Sequence, residues 1–277
     1  ANVSAHCEGY LPDDIQTIAV SVNDDIVLLL PPETNELYYY RAYWHGDEKA
    51  QSAWSRFIFD TAERVADITT IGDRCYMLIE NDDGYFIASF RIAGAATETG
   101  WSFPVHLDCQ ELNTGVYAAG TTTWTHLVDD ETLDSIVLGP DFGAAEGTVL
   151  TPTVVDANTL TVAGDYSAGA CMIGRSFIMN VELSRPYMRD REGAAILDAT
   201  MRLNKFVTNH VNTGEYDIRI AQPDRATRDY TFTPEDGDTI EDEGNNQALI
   251  MGLAKNTTIS IRNDTPLPST ITSAEFV

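Results

Sequence analysis

Two segments of this chain, TIAVSVNDDIVLLL (Thr17–Leu30) and ADITTIGDRCYMLI (Ala66–Ile79), superpose without a gap. Each reads as a strand, a short polar turn and a more apolar strand. Each is followed by a polar hairpin turn, near Thr34–Asn35 or Asp82–Gly84, and then by an aromatic strand, ELYYYRAYW (Glu36–Trp44) or GYFIASFRI (Gly84–Ile92). A strand meander recurring at such a period is the sequence form of a β-propeller blade. In the first copy a polar turn at Gly46–Lys49 leads into SAWSRFIF (Ser52–Phe59), the expected outer strand that completes the blade. Propellers typically need about 4–8 blades to close. Either further blades lie upstream of Ala1, in keeping with the missing initiator Met, or the fold is not a propeller.

The small, polar stretch AGAATETG (Ala93–Gly100) is the expected boundary between a blade-like region, residues 1–100, and a strand-rich region, residues 101–277. Strand candidates beyond it are WTHLV (Trp124–Val128), SIVLG (Ser135–Gly139), TLTVAG (Thr159–Gly164), SFIMNVELS (Ser176–Ser184) and AILDATMRLNKFVTNHV (Ala195–Val211). EYDIRIA (Glu215–Ala221), ALIMGLA (Ala248–Ala254), TTISIRN (Thr257–Asn263) and STITSAEFV (Ser269–Val277) follow. Alternation such as Ile218/Ile220 and Ile259/Ile261 marks half-buried strands, and convincing helical periodicity is absent. The expected fold class is all-β: partial β-propeller blades followed by one or two platform-like β-sandwich domains. The acidic stretch PEDGDTIEDEGNN (Pro234–Asn246) is expected to be a solvated, mobile loop, since its spacing does not match an EF-hand.

Charge narrows the partners. With 17 Lys+Arg against 43 Asp+Glu, the formal net charge is -26. Such a surface repels phosphate, which makes nucleic acid a poor candidate for tight binding. Duplex DNA that slides past without sticking is compatible with it, and so are salt adaptation or plain solubility. No apolar run approaches the roughly 20 residues that span a bilayer, and ANVSAHCEGY has no secretory pattern, so a soluble chain is expected. Cys7, Cys75, Cys109 and Cys171 form no Cys-x-x-Cys pair and are expected to be buried thiols made in a reducing cytosol.

Catalytic grammar is thin. The acidic pairs Asp13/Asp14, Asp24/Asp25, Asp82/Asp83 and Asp129/Asp130 suit turns better than a glycosidase cleft, because strand neighbours point to opposite faces. His6, His45, His106, His126 and His210 lack ligand spacing, and neither a nucleophile elbow nor a phosphate loop is present. The sequon at Asn256 is weak in a chain with no export signal. Tyr38, Tyr39, Tyr40, Tyr43 and Trp44 suit blade core and inter-blade packing better than sugar stacking. No catalytic, cofactor-binding or metal residue is nominated, and no cofactor is expected.

In both halves the residue patterns resemble the tail nozzle protein family, also called tail tubular protein B, of podovirus-type short-tailed bacteriophages. In the first half these are CEGYLP (Cys7–Pro12), DEKAQSAWSRFIF (Asp47–Phe59), IGDRCYML (Ile71–Leu78) and FPVHLD (Phe103–Asp108), with Gln51–Ser55 the most specific piece. In the second they are YSAGACMIGRSFIMNVELSRPYMRD (Tyr166–Asp190), TMRLNKFVTNHVNTGEYDIRI (Thr200–Ile220) and NDTPLPSTITSAEFV (Asn263–Val277).

The resemblance implies a structural virion protein rather than an enzyme. It implies a homohexamer below the tail adaptor, with tail fibres or spikes near that junction, enclosing the channel through which genomic double-stranded DNA leaves. It places the protein in the virion tail, assembled in the host bacterial cytoplasm, and makes this chain a C-terminal portion. Residues 235–243 are then expected on an exposed face. The alternatives are a glycan-binding or glycan-degrading protein of the host surface, which needs a carboxylate pair and aromatic platform in one cleft, and a host-binding adhesin.

Overall fold

In a computed structural model the described residues are 9–59, 62, 64–82, 84–92, 94, 97–127, 132–192, 195–196, 199–235 and 238–277. The chain divides into two compact units, Ala1–Ala96 and Thr97–Val277.

In the first unit β1 (Thr17–Ser21), β2 (Ile26–Leu30), β3 (Glu36–His45) and β4 (Glu48–Ile58) form an antiparallel meander. A second meander contains β5 (Arg64–Ile71), β6 (Arg74–Asn81) and β7 (Gly84–Arg91). The repeat holds at the level of register. Ile18↔Leu29, Ala19↔Leu28 and Ser21↔Ile26 have counterparts in Asp67↔Leu78, Ile68↔Met77 and Thr70↔Cys75. The third strands follow suit, with Ile26↔Arg41 and Leu28↔Tyr39 matched by Cys75↔Phe90 and Met77↔Ala88.

Strand side chains alternate between faces, so an equal register buries equal positions. Ala19, Ile26, Leu28 and Leu30 therefore meet Ile68, Cys75, Met77 and Ile79 in one core. The first strands of the two meanders are stitched side by side, Gln16 Nε2 donating to the Ala66 carbonyl at 2.7 Å and Thr70 Oγ1 to that of Val20 at 2.9 Å. These are blade-like sheets, but no propeller ring is closed by them. β4 starts earlier than SAWSRFIF suggests, because Gly46 at φ 62 lets the chain reverse within two residues and pair His45 with Glu48.

In the second unit β8 (Asp108–Thr114), β11 (Ser135–Leu138), β12 (Val149–Leu150) and β15 (Ala170–Arg175) form one sheet, in the order β12-β11-β15-β8. β9 (Val116–Ala118), β10 (Thr121–Thr125), β13 (Thr153–Asp156) and β14 (Thr159–Ala163) form another, in the order β13-β14-β10-β9. Trp124 and Leu160 of the second sheet pack on Ile136, Leu138, Cys171 and Ile173 of the first, which makes a sandwich.

A second sandwich follows. β16 (Met179–Glu182), β20 (Tyr216–Ala221), β21 (Arg228–Phe232) and β23 (Thr258–Asn263) make one sheet. β19 (Arg202–Thr213), β22 (Glu241–Leu253) and β24 (Thr270–Phe276) make the other. Phe206, Ala248 and Ile250 face Ile218, Ile220, Ile259 and Ile261 across the core. The pair β17 (Met188–Arg189) and β18 (Ala195–Ile196) stands apart as a short ribbon. Trp101, Phe103, Val105 and Leu107 pack with Val137, Met172 and Leu267, tying the first sandwich to the β23–β24 connection.

The all-β expectation is met, with several boundaries corrected. Ala195–Val211 is not one strand: it divides into β18 and a β19 that begins at Arg202, with residues 197–198 outside the described set. The strand expected at Trp124–Val128 is β10 instead, which stops before His126 because its partner β14 begins at Thr159, opposite Thr125. Only Met179–Glu182 of Ser176–Ser184 is strand. Pro234–Asn246 is not wholly a loop, since Glu241 onward pairs with β19 from Thr213↔Glu241 to Thr208↔Asn246. Backbone pairing to a long neighbour overrides the poor strand propensity of Glu, Asp and Gly.

Gly115, buried between β8 and β9, shows how tightly the first sandwich is filled. A Cβ there would meet the Trp124 ring at 2.7 Å and the Thr122 methyl still closer. Gly115→Ala is expected to lower stability by about 1–3 kcal/mol through overpacking. In urea titration this reads as an earlier midpoint at an unchanged slope.

Candidate functional site

Among the described residues no acidic pair forms a catalytic dyad. Asp24 accepts a hydrogen bond from Ser21 Oγ at 2.6 Å, and Asp25 turns the chain at φ 55. Asp82 sits in the β6–β7 turn, Asp13 and Asp14 in the segment before β1, and Asp83, Asp129 and Asp130 lie outside the described residues. Among the described residues the carboxyls with shifted titration all move down. An Arg64 side-chain hydrogen bond holds Glu80 below the usual range, the Asn158 backbone N–H does so for Asp156, and paired Arg219 bonds do so for Asp229. A general acid needs the opposite shift, so these are structural anions.

His6 lies outside the described residues, His45 ends β3 in solvent, His126 is buried just past the end of β10, and His210 is buried on β19. Among the described residues no cluster of three or more His, Cys, Asp or Glu is arranged to hold a metal ion. No helix among them is long and apolar enough to cross a membrane. Cys75 and Cys171 are buried, and burial pushes their thiols up to about 12 and about 11. Cys109 corrects the expectation of burial: it is exposed on edge strand β8. Cys7 lies outside the described residues.

The aromatic run is occupied by packing. Tyr39 faces the shared core and meets Phe57 edge-on at 5.7 Å. On the other face Tyr38 and Tyr40 are buried beneath Tyr10 and Trp54, at 5.8 and 4.9 Å between ring centres. Tyr43 and Trp44 stay exposed.

A buried polar chain crosses the second sandwich. Thr208 and His210 point inward in phase with Phe206, where β19 buries every second residue. Tyr216 OH lies 2.7 Å from Thr208 Oγ1 and 3.0 Å from His210 Nδ1, and Thr208 Oγ1 lies 3.5 Å from the Asn246 carbonyl. One proton order serves the whole chain: His210 Nδ1–H donates to Tyr216, Tyr216 to Thr208, and Thr208 to the Asn246 carbonyl. Nε2 then keeps a bare lone pair against Gly244, where no acceptor stands. Protonation would bury an unpartnered N–H there. Burial accordingly holds His210 below the ordinary histidine range, against an upward pull from Glu241, and burial also lowers His106.

Both histidines are neutral in the fold, while the unfolded chain takes up protons near pH 6.5. Their contribution to stability is present above that pH and is lost as pH falls through the lowered folded values. Stability is expected to decline as pH falls through about 6.5, and His210→Gln is expected to flatten that slope in denaturant titrations at stepped pH.

Charge on the β22-β19-β24 sheet is segregated by position. At one end Glu241, Asp242 and Glu243 begin β22 beside Glu215, Glu235 and Asp238; among the described residues none of them makes an ion pair. At the other end Arg202, Arg225 and Arg228 gather around Gln222, and these three, like Lys205 and Lys255, have no carboxylate partner among the described residues. Neutral acceptors hold Arg225, Arg228 and Lys205 instead. Arg225 Nη1 donates to Gln222 Oε1 at 3.2 Å, Arg228 Nη2 to the Ile250 carbonyl at 2.9 Å, and Lys205 Nζ to Gln247 Oε1 at 3.5 Å. Other arginines sit on carboxylates, as in Arg56–Glu36, Arg219–Asp229 and Arg262–Asp264. A cleft of about 350 Å³ opens beside two of the cations, lined by Arg202, Gln222, Asp224, Arg225, Met251 and Asn256. Sequence reading missed it because its residues come from three separate stretches, and only pairing of β19 with β22 brings Arg202 opposite Leu253.

Comparison with known proteins gives one strong result. No curated protein matches the chain. Among solved structures, a protein crystallised with a xylogluco-oligosaccharide is 9% identical over 96% of this chain and 78% of its own, with a TM-score of 0.17. An exo-beta-1,3-galactanase from Phanerochaete chrysosporium is 8% identical over 91% and 78%, with a TM-score of 0.18. SGBP-B from a xyloglucan utilization locus in Bacteroides uniformis is 11% identical over 95% and 97%, with a TM-score of 0.15. Likeness at this level carries no argument about fold or ligand. The family model described as bacteriophage nozzle protein, by contrast, matches residues 1–277, and the chain therefore belongs to the bacteriophage nozzle protein family, a structural component of the phage virion tail.

Proposed function

We propose that the protein is a subunit of a hexameric tail nozzle whose ring encloses the channel for genome ejection. The family match across residues 1–277 carries this reading. The net charge of -26 supports it, because an acidic wall repels the phosphates of passing DNA and keeps the duplex from adhering. The role is mechanical and electrostatic, not enzymatic. Around a sixfold axis the contacts are heterologous and must close by rotation. The tail adaptor lies above the ring, fibres or spikes attach near that junction, and assembly takes place in the host bacterial cytoplasm.

Light scattering followed by electron-microscope imaging of assembled particles tests this. A sixfold ring with an opening near the width of duplex DNA is the expected result. A monodisperse monomer in the presence of tail partners would overturn it.

A further inference from the structure

We infer that the cationic cleft beside Arg202 is the seat for the Glu241–Asp242–Glu243 end of β22 in a second copy of this chain, a head-to-tail contact between protomers. The inference rests on the ring reading above, and it names the two surfaces that meet.

The cleft carries the argument. In a chain with 17 Lys+Arg and 43 Asp+Glu, random placement surrounds every cation with carboxylates. Arg202 and Arg225 nevertheless line one cleft, Arg228 adjoins it by donating to Gln222 Oε1 at 3.4 Å, and Asp224 is the one carboxylate lining the cleft. The neutral partners of Arg225, Arg228 and nearby Lys205 on β19, which are Gln222, Gln247 and the carbonyls of Ile250 and Met251, orient these groups without cancelling their charge. A guanidinium held this way keeps donors for a planar, bidentate anion, and carboxylate is such an anion.

The complementary surface is on the same sheet. Glu241, paired with Thr213, stands at one end of the β19–β22 ladder, and Leu253, paired with Arg202, at the other. At about 3.4 Å per residue the two ends lie about 37 Å apart along β19, so one chain cannot join them to each other. A contact between different patches on identical chains is the heterologous type a closed ring requires. DNA phosphate is the weaker occupant, because the net charge opposes its approach.

The test uses the full chain. Particle mass is measured by light scattering across protein concentration and at ~0.05 and ~0.5 M salt for wild type, Arg202→Glu/Arg225→Glu and Glu241→Lys/Glu243→Lys. Circular dichroism checks that each variant folds, and Arg202→Gln/Arg225→Gln stands in where a reversal does not. Wild type is expected to associate, more weakly at high salt. Each reversal alone is expected to weaken association about 10-fold or more, and mixing the two restores it. Carbodiimide is expected to link Lys255 of one isotopically labelled copy to Glu241 or Glu243 of an unlabelled one.

Wild-type rings unaffected by the arginine reversal would sink this inference and leave the ring reading standing. A wild type that never associates would remove both. A duplex oligonucleotide bound by wild type and lost in Arg202→Glu/Arg225→Glu would reassign the cleft to phosphate.

Discussion

Replacing Trp124 with Ala is expected to reduce the stability of the second unit by about 3–5 kcal/mol, and its thermal midpoint by about 10 °C. Trp124 is fully buried in the first sandwich, where β10 places it opposite Leu160 and the adjoining sheet brings Ile136, Leu138 and Ile173 against it. Those neighbours are held in backbone ladders, so they cannot collapse into the space, and most of the cavity persists. Trp124→Phe keeps a ring in the slot and is expected to lose less than half as much. Denaturant titration followed by near-ultraviolet circular dichroism measures both. A loss under 1 kcal/mol for Trp124→Ala would mean that the two sheets are not packed across this residue.

Tyr216→Phe is the second large effect, expected at about 2–3 kcal/mol. The substitution keeps the ring against Phe232, 5.4 Å away between centres, and removes only the hydroxyl shared by Thr208 and His210. His210 Nδ1 then lacks its buried acceptor, and Thr208 keeps only the long contact to the Asn246 carbonyl. An unsatisfied buried group loses its full hydration, whereas removing both partners of a hydrogen bond is nearly neutral. Adding Thr208→Val to Tyr216→Phe is therefore expected to cost less than the sum of the single losses, with a coupling of about 1–2 kcal/mol. Strict additivity would show that the chain does not act as a unit.

How legible these features were depends on the distance over which each is encoded. The paired meanders were readable because the strand period and the turn residues lie within the same few positions. The gap-free alignment of the two segments agrees with the equal registers Ser21↔Ile26 and Thr70↔Cys75 that the structure shows. The inward phase of Thr208 and His210 was not read from the sequence, where Ala195–Val211 passed as one strand, and their partner Tyr216 follows only after the turn that ends β19. Edge strands such as β8, DCQELNT, carry too few apolar residues to announce themselves, and pairing with β15 forms them.

The sequence by itself determined the all-β class, the two meanders, the thin catalytic grammar and the acidic balance, because alternation, turn chemistry and charge are local or additive properties. Only the tertiary structure decided that Glu241–Asn246 is strand, that Trp124 is a keystone between sheets and that scattered cations share one cleft. Each of these depends on which distant strand supplies the neighbouring backbone. A ladder hydrogen bond is worth the same to any residue except proline, so sequence leaves the choice of partner open until side chains from several strands bury one another.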